Sequence, residues 1–255
     1  MVVDSMSLEE IVKELQDDLN NAQHISYYRY DKFKSAVLKT KQFPLRKYYE
    51  CKTAKRKNRF FVQFTAGKRS DWKSPYHMFY CIFGRSEGLY CAVLGLDGDY
   101  TYIYPPHFFA CYRERIIKSS DISPENLIHL YMNRFCGFYS QPVDPNEFKE
   151  LENWDQLCDE GPVGFVGTCP DGVVFGERTP DYVLIKTIIP ESMLYPDQVE
   201  FYDRVYIRCW SYMKEKYPEK LMDFITESEF DYYQYPESAT QEALDKLRQK
   251  YKTGE

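Results

Sequence analysis

One short segment of the chain brings together side chains that could do chemistry. His107 and Cys111 lie in the run PHFFACYRER at 106–115, together with Glu114 and Arg115. The run follows a strand-like stretch and opens a predicted helix, where residues four apart lie one above the other. An imidazole, a thiol and a guanidinium then share one stripe, which indicates a functional site because such groups are costly to bury together. Taken singly, His107 also fits a helix cap, Cys111 a core thiol and Glu114 a surface ion pair.

A cysteine nucleophile with a histidine base is one chemistry that this spacing allows. Cys111 and His107 are four residues apart and can approach each other on a helix. Acyl transfer also needs an oxyanion hole, and no glycine-rich element near the start of this helix supplies one. We therefore rank this chemistry below acid–base chemistry at the same helix.

The order of residues in this helix resembles a family of small toxin-like ribonucleases of bacteria. A His-x-x-x-Arg-Tyr-x-Glu-Arg helix, followed by a short helix and a group of strands, is similar to the barnase, colicin and RelE type of metal-independent ribonuclease. The matching residues of this chain are His107, Tyr112, Glu114 and Arg115. Cys111 stands where the pattern has its first arginine, and the loss of such a donor is expected to cost catalysis about 3 kcal/mol.

The resemblance implies a transesterification that needs no metal and no other cofactor. His107 would act as general acid or base, and Arg115 would hold the scissile phosphate. Glu114 would either be a second acid–base group or orient Arg115. The residues implied to line the facing strands are Arg178, Lys186 and Thr187.

The N-terminal half contains a second candidate binding surface. From Arg29 to Lys73 the chain has ten lysines and five arginines against three acidic residues, a local charge of +12 in a chain whose total is −6. Cations alternate there with aromatic rings, as in proteins that bind single-stranded nucleic acid. The residues singled out for this role are Lys55, Arg56, Lys57 and Arg59.

Two other interpretations of this basic segment stay open at this point. It also fits a solvated hairpin tip that discourages edge pairing. Alternatively, it pairs with the acidic, tyrosine-rich tract from Asp223 to Glu237. That tract is also the predicted surface for a protein partner.

The hydrophobic pattern predicts an α+β fold, with a curved antiparallel sheet packed by N-terminal, central and C-terminal helices. Helices are expected at 7–20, 24–38, 107–118 and 123–135, and within 197–216 and 239–250. Strands are expected at 45–52, 59–65, 76–83, 89–94, 100–104, 163–168, 172–177 and 182–189. We treat 1–255 as a single domain whose weakest point is 141–160, an acidic stretch predicted as a connection or a short helix.

Composition favours a cytoplasmic protein with no membrane association. No apolar run is long enough to cross a bilayer, and the N-terminus shows no signal peptide. The eight cysteines include no Cys-x-x-Cys pair. This spacing argues against a zinc ribbon and favours reduced thiols.

These observations lead to two hypotheses of different class. The first is a metal-independent RNase-like or RNA-binding protein of the bacterial cytosol, whose partner is RNA or another single-stranded nucleic acid. The second is a non-enzymatic module that binds nucleic acid or protein through a decayed site, which Cys111 favours. Cleavage of RNA in EDTA that depends on His107 distinguishes the two.

Overall fold

The computed structural model describes most of the first 196 residues of the chain. The described ranges are 1–95, 100–134, 139–144, 149–150, 161–169 and 171–196. The helices predicted within 197–216 and 239–250, and the acidic tract from Asp223 to Glu237, lie outside these residues.

The first element is one long helix, α1, Leu8–Lys39. Ser7 and Glu10 form a capping box at its start. The prediction of two separate helices was wrong, because 20–24 contains neither proline nor glycine and the helical turns continue through it. Ala22 in this stretch is fully buried, so packing favours the continuous helix.

Ten strands of the described residues form one sheet. They are β1 Leu45–Lys52, β2 Arg59–Ala66, β3 Tyr76–Arg85, β4 Gly88–Leu94, β5 Thr101–Tyr104, β6 Tyr139–Asp144, β7 Lys149–Glu150, β8 Val163–Cys169, β9 Gly172–Arg178 and β10 Tyr182–Ile189. Their order across the sheet is β1-β2-β3-β4-β5-β10-β9-β8-β6-β7. The α+β class is therefore confirmed.

One strand pair departs from the expected antiparallel pattern. β5 and β10 are parallel, with Ile103 opposite Leu184. Parallel neighbours need a long crossover. Here the crossover contains helices α2, Pro106–Tyr112, and α3, Pro124–Arg134, followed by β6 to β9.

The stretch 141–160 also differs from its prediction. Its described part contributes to strands β6 and β7 rather than to a connection or a short helix. β6 pairs with β8, so the sheet continues beyond the strands predicted at 163–168, 172–177 and 182–189. Residues 145–148 and 151–160 lie outside the described part.

Helices cover both faces of the sheet because the strand residues alternate. On β2, Phe60 and Phe64 belong to the cluster that packs against α1. Phe61, between them, belongs to the cluster that contains residues of α2 and α3. The two helices of the crossover therefore lie on the face opposite α1, and α2 positions His107 and Cys111 on that face. No helix in the described ranges is long and apolar enough to cross a membrane.

Candidate functional site

Helix α2 places His107 and Cys111 together, as the spacing predicts. Pro105 ends the strand and Pro106 takes the first helical position. Nε2 of His107 lies 3.4 Å from Sγ of Cys111. His107 is exposed, whereas Cys111 is only 4% exposed and packs in the core. The thiol is therefore a packing group, which disfavours its use as a nucleophile.

The helix widens after Tyr112, and this change directs Arg115 toward the sheet. Residues Arg113–Ile117 form a π-helical turn. Nη1 of Arg115 donates to Oγ1 of Thr187 at 3.1 Å and to the carbonyl of Ile188 at 2.8 Å. π turns are rare and often occur at functional sites. The structure thus brings together two of the residues that the resemblance places across a cleft.

The other residues predicted for this site do not all converge on it. Glu114 is exposed. Nζ of Lys186 lies 2.5 Å from a carboxylate oxygen of Glu177 on the neighbouring strand. Cζ of Arg178 lies 3.9 Å from the centre of the Tyr100 ring, and burial lowers the pKa of this guanidinium. Lys186 and Arg178 are therefore engaged in contacts of their own.

The two arginines predicted to bind nucleic acid in the β1–β2 hairpin are both paired with carboxylates. Arg56 pairs with Glu14 of α1, and its Nη2 lies 3.3 Å from Oδ2 of Asp17. Nη2 of Arg59 lies 2.9 Å from Oε1 of Glu125 at the start of α3. The hydrogen bonds from Arg59 lower the pKa of Glu125. These arginines join the hairpin to α1 and α3.

The lysines of the same segment are arranged differently. Lys55 and Lys57 are exposed at the hairpin tip, an arrangement that fits both a phosphate-binding surface and a solvated hairpin tip. Nine lysines between 32 and 73 are exposed; they are Lys32, Lys39, Lys41, Lys47, Lys52, Lys55, Lys57, Lys68 and Lys73. We call this set of nine exposed residues the lysine face; its members belong to α1, β1, the hairpin tip and the segments that follow α1 and β2.

A carboxylate for which the sequence showed no functional signal joins three elements. Asp171, between β8 and β9, accepts a hydrogen bond of 2.7 Å from the hydroxyl of Tyr112 in α2. It also accepts from Nε of Arg134 at the end of α3, at 3.2 Å. The side chain of Asp171 is 8% exposed. It therefore ties both crossover helices to the sheet.

A cleft of about 510 Å³ lies between the edge strand β1 and helix α3. Its lining residues are Arg46, Lys47, Tyr48, Tyr49, Asn126, His129, Leu130 and Asn133. The four from α3 have the spacing i, i+3, i+4 and i+7, which places them on one side of the helix. The sequence signal for this cleft was this stripe on the predicted helix 123–135. The sequence did not show that β1 forms the opposite wall of the cleft.

His129 is the buried centre of this cleft. Its ring lies 4.2 Å from the Tyr48 ring, with an interplanar angle of 10°. Nδ1 lies 2.9 Å from the hydroxyl of Tyr80, and Nε2 lies 3.8 Å from Oε1 of Glu125. The carboxylate favours the tautomer with its proton on Nε2, which leaves Nδ1 to accept from Tyr80. Burial lowers the pKa of His129, so the stacked ring is neutral at pH 7.

The buried His129 predicts a loss of stability on mild acidification. Its pKa in the folded chain lies below the ordinary value of 6.5, so the unfolded chain protonates first as the pH falls. The contribution of the neutral His129 to the free energy of unfolding is complete above pH 6.5. It is lost as the pH falls from there toward the folded pKa. Urea denaturation at about pH 7.5 and about pH 5.5 should show a larger loss for wild type than for His129→Gln.

The neighbouring carboxylate Glu125 does not interfere with this measurement. The pKa of Glu125 is lowered from 4.5, so its contribution to stability is lost only at lower pH, outside the measured window. Equal losses in wild type and His129→Gln between the two pH values would show that another group causes the pH dependence.

Comparisons with known proteins identify no relative of this chain. No family model matches it, and neither a curated protein nor a solved structure gives a significant match. Within the described ranges, no group of three or more histidine, cysteine, aspartate or glutamate side chains is arranged to hold a metal ion. The described thiols Cys51, Cys81, Cys91 and Cys111 are free and buried.

Proposed function

We propose that this protein binds single-stranded RNA through the lysine face. The observation that carries the proposal is the division of the cations in the basic segment. Arg56 and Arg59 are neutralised by carboxylates of the fold, whereas the nine lysines are exposed. Exposed ammonium groups can exchange their counterions for phosphates, which supplies sequence-independent affinity for RNA.

Exposed tyrosines support single strands as the partner. Tyr27 and Tyr28 of α1 are 71% and 81% exposed, and Tyr76 of β3 is 54% exposed. All three lie in or beside the basic segment of the chain. Unpaired bases stack on such rings, whereas the bases of a duplex are already stacked on one another. The cytoplasmic location expected from the sequence is part of the same proposal.

Cleavage of the bound RNA at α2 is the second candidate function. It is supported by the exposed His107 and by the contact between Arg115 and Thr187. Two observations weigh against it: the buried Cys111 fills the place of an arginine, and Arg115 already donates to the carbonyl of Ile188. We therefore place binding without cleavage first and regard the α2 site as decayed.

The test is the affinity of a fluorescent single-stranded RNA of about 20 nucleotides, measured in EDTA by anisotropy. The double variant Lys55→Glu with Lys57→Glu should bind at least about tenfold more weakly, with a smaller salt dependence. The matched control reverses two exposed lysines outside the lysine face, Lys13→Glu with Lys118→Glu, and should bind within about twofold of wild type.

Three outcomes of this experiment would count against the proposal. Equal weakening by both double variants would mean that net charge alone sets the affinity. No binding by wild type would leave a protein-interaction role. Cleavage in EDTA that disappears in His107→Ala would establish the nuclease instead of the decayed site.

A further inference from the structure

We infer that the cleft between β1 and α3 is a purine-base site, in which the base stacks on Tyr48. The inference deepens the proposed RNA binding and rests on it for the source of the base. The cleft volume of about 510 Å³ falls in the ordinary range of small-molecule sites.

Tyr48 supplies a stacking surface that is already ordered. Its ring is 42% exposed although it belongs to a strand, and it borders the cleft. The parallel contact with His129 at 4.2 Å and the edge contact with Phe61 at 6.2 Å hold the ring in place. Little side-chain entropy is then lost when a base stacks on it, because the ring is ordered before binding. A neutral His129 adds no charge beneath the stack.

The α3 side of the cleft supplies polar groups suited to the edge of a base. Asn126 and Asn133 line it, one turn on either side of Leu130. A carboxamide both donates and accepts, so it can pair with the adjacent donor and acceptor that purines present. Leu130 offers an apolar contact between these two amides.

The β1 side completes the cleft with main-chain groups and positive charge. β1 is the last strand of the sheet on this side and pairs only with β2 among the described strands. An edge strand presents main-chain donors and acceptors that lack a neighbouring strand. Lys47 is exposed at the cleft and supplies charge for the phosphate of the same nucleotide. A flat ring with polar edges and one phosphate fits all these features.

The experiment measures the binding of AMP, GMP, CMP and UMP to the full chain by chemical-shift perturbation, with ribose 5-phosphate as the ligand without a base. The purine nucleotides should bind more tightly than the pyrimidine nucleotides, and ribose 5-phosphate should not bind. Tyr48→Ala should weaken AMP binding at least about fivefold, the lower end of the loss of one base–aromatic stack.

Two further variants separate stacking from folding. Tyr48→Phe keeps the ring and should bind AMP like wild type. Tyr195→Ala removes an exposed tyrosine outside the cleft and should leave AMP binding unchanged. Thermal melts of all three variants report whether each one folds, and Tyr48→Phe keeps the comparison interpretable if Tyr48→Ala does not fold.

The outcomes distinguish the cleft from the hairpin-tip lysines Lys55 and Lys57. AMP binding that survives Tyr48→Ala, or equal binding of ribose 5-phosphate, would overturn the base site. RNA binding that depends on Lys55 and Lys57, with no mononucleotide bound at about 10 mM, would overturn the base site and leave the proposed function intact. If Tyr48→Ala loses AMP binding and the wild-type protein binds no RNA, the base site is supported and the proposed function is overturned.

Discussion

Replacing Asp171 by alanine is expected to lower the free energy of unfolding by about 2 to 3 kcal/mol. The buried carboxylate accepts from Tyr112 and from Arg134, so its removal leaves a buried hydroxyl and a half-exposed guanidinium without this acceptor. The estimate stays below the value for a fully buried ion pair because the side chain of Arg134 is 41% exposed. Urea denaturation followed by circular dichroism measures the loss.

The control for Asp171→Ala is Asp181→Ala in the turn before β10. Asp181 is exposed, so its replacement should change stability by no more than about 0.5 kcal/mol. A double-mutant cycle with Tyr112→Phe then tests the pairing itself. If the losses from Asp171→Ala and Tyr112→Phe add fully, the two side chains are not coupled and the proposed tie between α2 and the sheet is wrong.

Replacing Gly176 by alanine is expected to cost roughly 3 kcal/mol of stability. A Cβ at this position of β9 would lie 2.2 Å from the carbonyl oxygen of Leu184 and 2.5 Å from a ring carbon of Phe165. The pairing of β9 with β10 shifts register between Ile185 and Thr187, beside this point, so the strands approach closely there. Main chain cannot move aside as a flexible side chain can.

Gly84→Ala is the matched control for Gly176→Ala. Gly84 also lies within a strand, but its Cβ would lie 3.8 Å from a methyl group of Leu89, an ordinary contact. We expect it to change stability by less than about 1 kcal/mol. Similar urea midpoints for the two variants would contradict the close approach of β9 and β10. A loss of stability in Gly176→Ala but not in Gly84→Ala would support the register shift between Ile185 and Thr187. Thr187, at the end of this shift, is the residue that contacts Arg115.

Local patterns in the sequence were sufficient for eight of the ten described strands, all but β6 and β7, and for the central helices. The bounds of β1 coincide with the predicted 45–52, and those of β10 with 182–189. The capping box at Ser7 and the prolines before α2 were equally local signals. These features depend on residues a few positions apart, where dihedral preferences, turn chemistry and hydrophobic period act directly.

The α2 site was only partly accessible to the same reasoning. Helical spacing predicted the contact between His107 and Cys111, and the resemblance placed Thr187 opposite Arg115. A core position was one of two open interpretations of Cys111, and only packing decided between them, because exposure depends on what packs against that side of the helix. The catalytic roles assigned to His107, Glu114 and Arg115 stay predictions for the cleavage assay.

The sequence by itself determined the α+β class, most of the element bounds and the concentration of cations between Arg29 and Lys73. Only the tertiary structure decided which cations face solvent, because Arg59 finds its partner Glu125 66 positions away. The same holds for the parallel pairing of β5 with β10 and for the stacking of Tyr48 on His129. Local propensities act between near neighbours, whereas register, burial and convergence of side chains depend on contacts between segments that are distant in the chain.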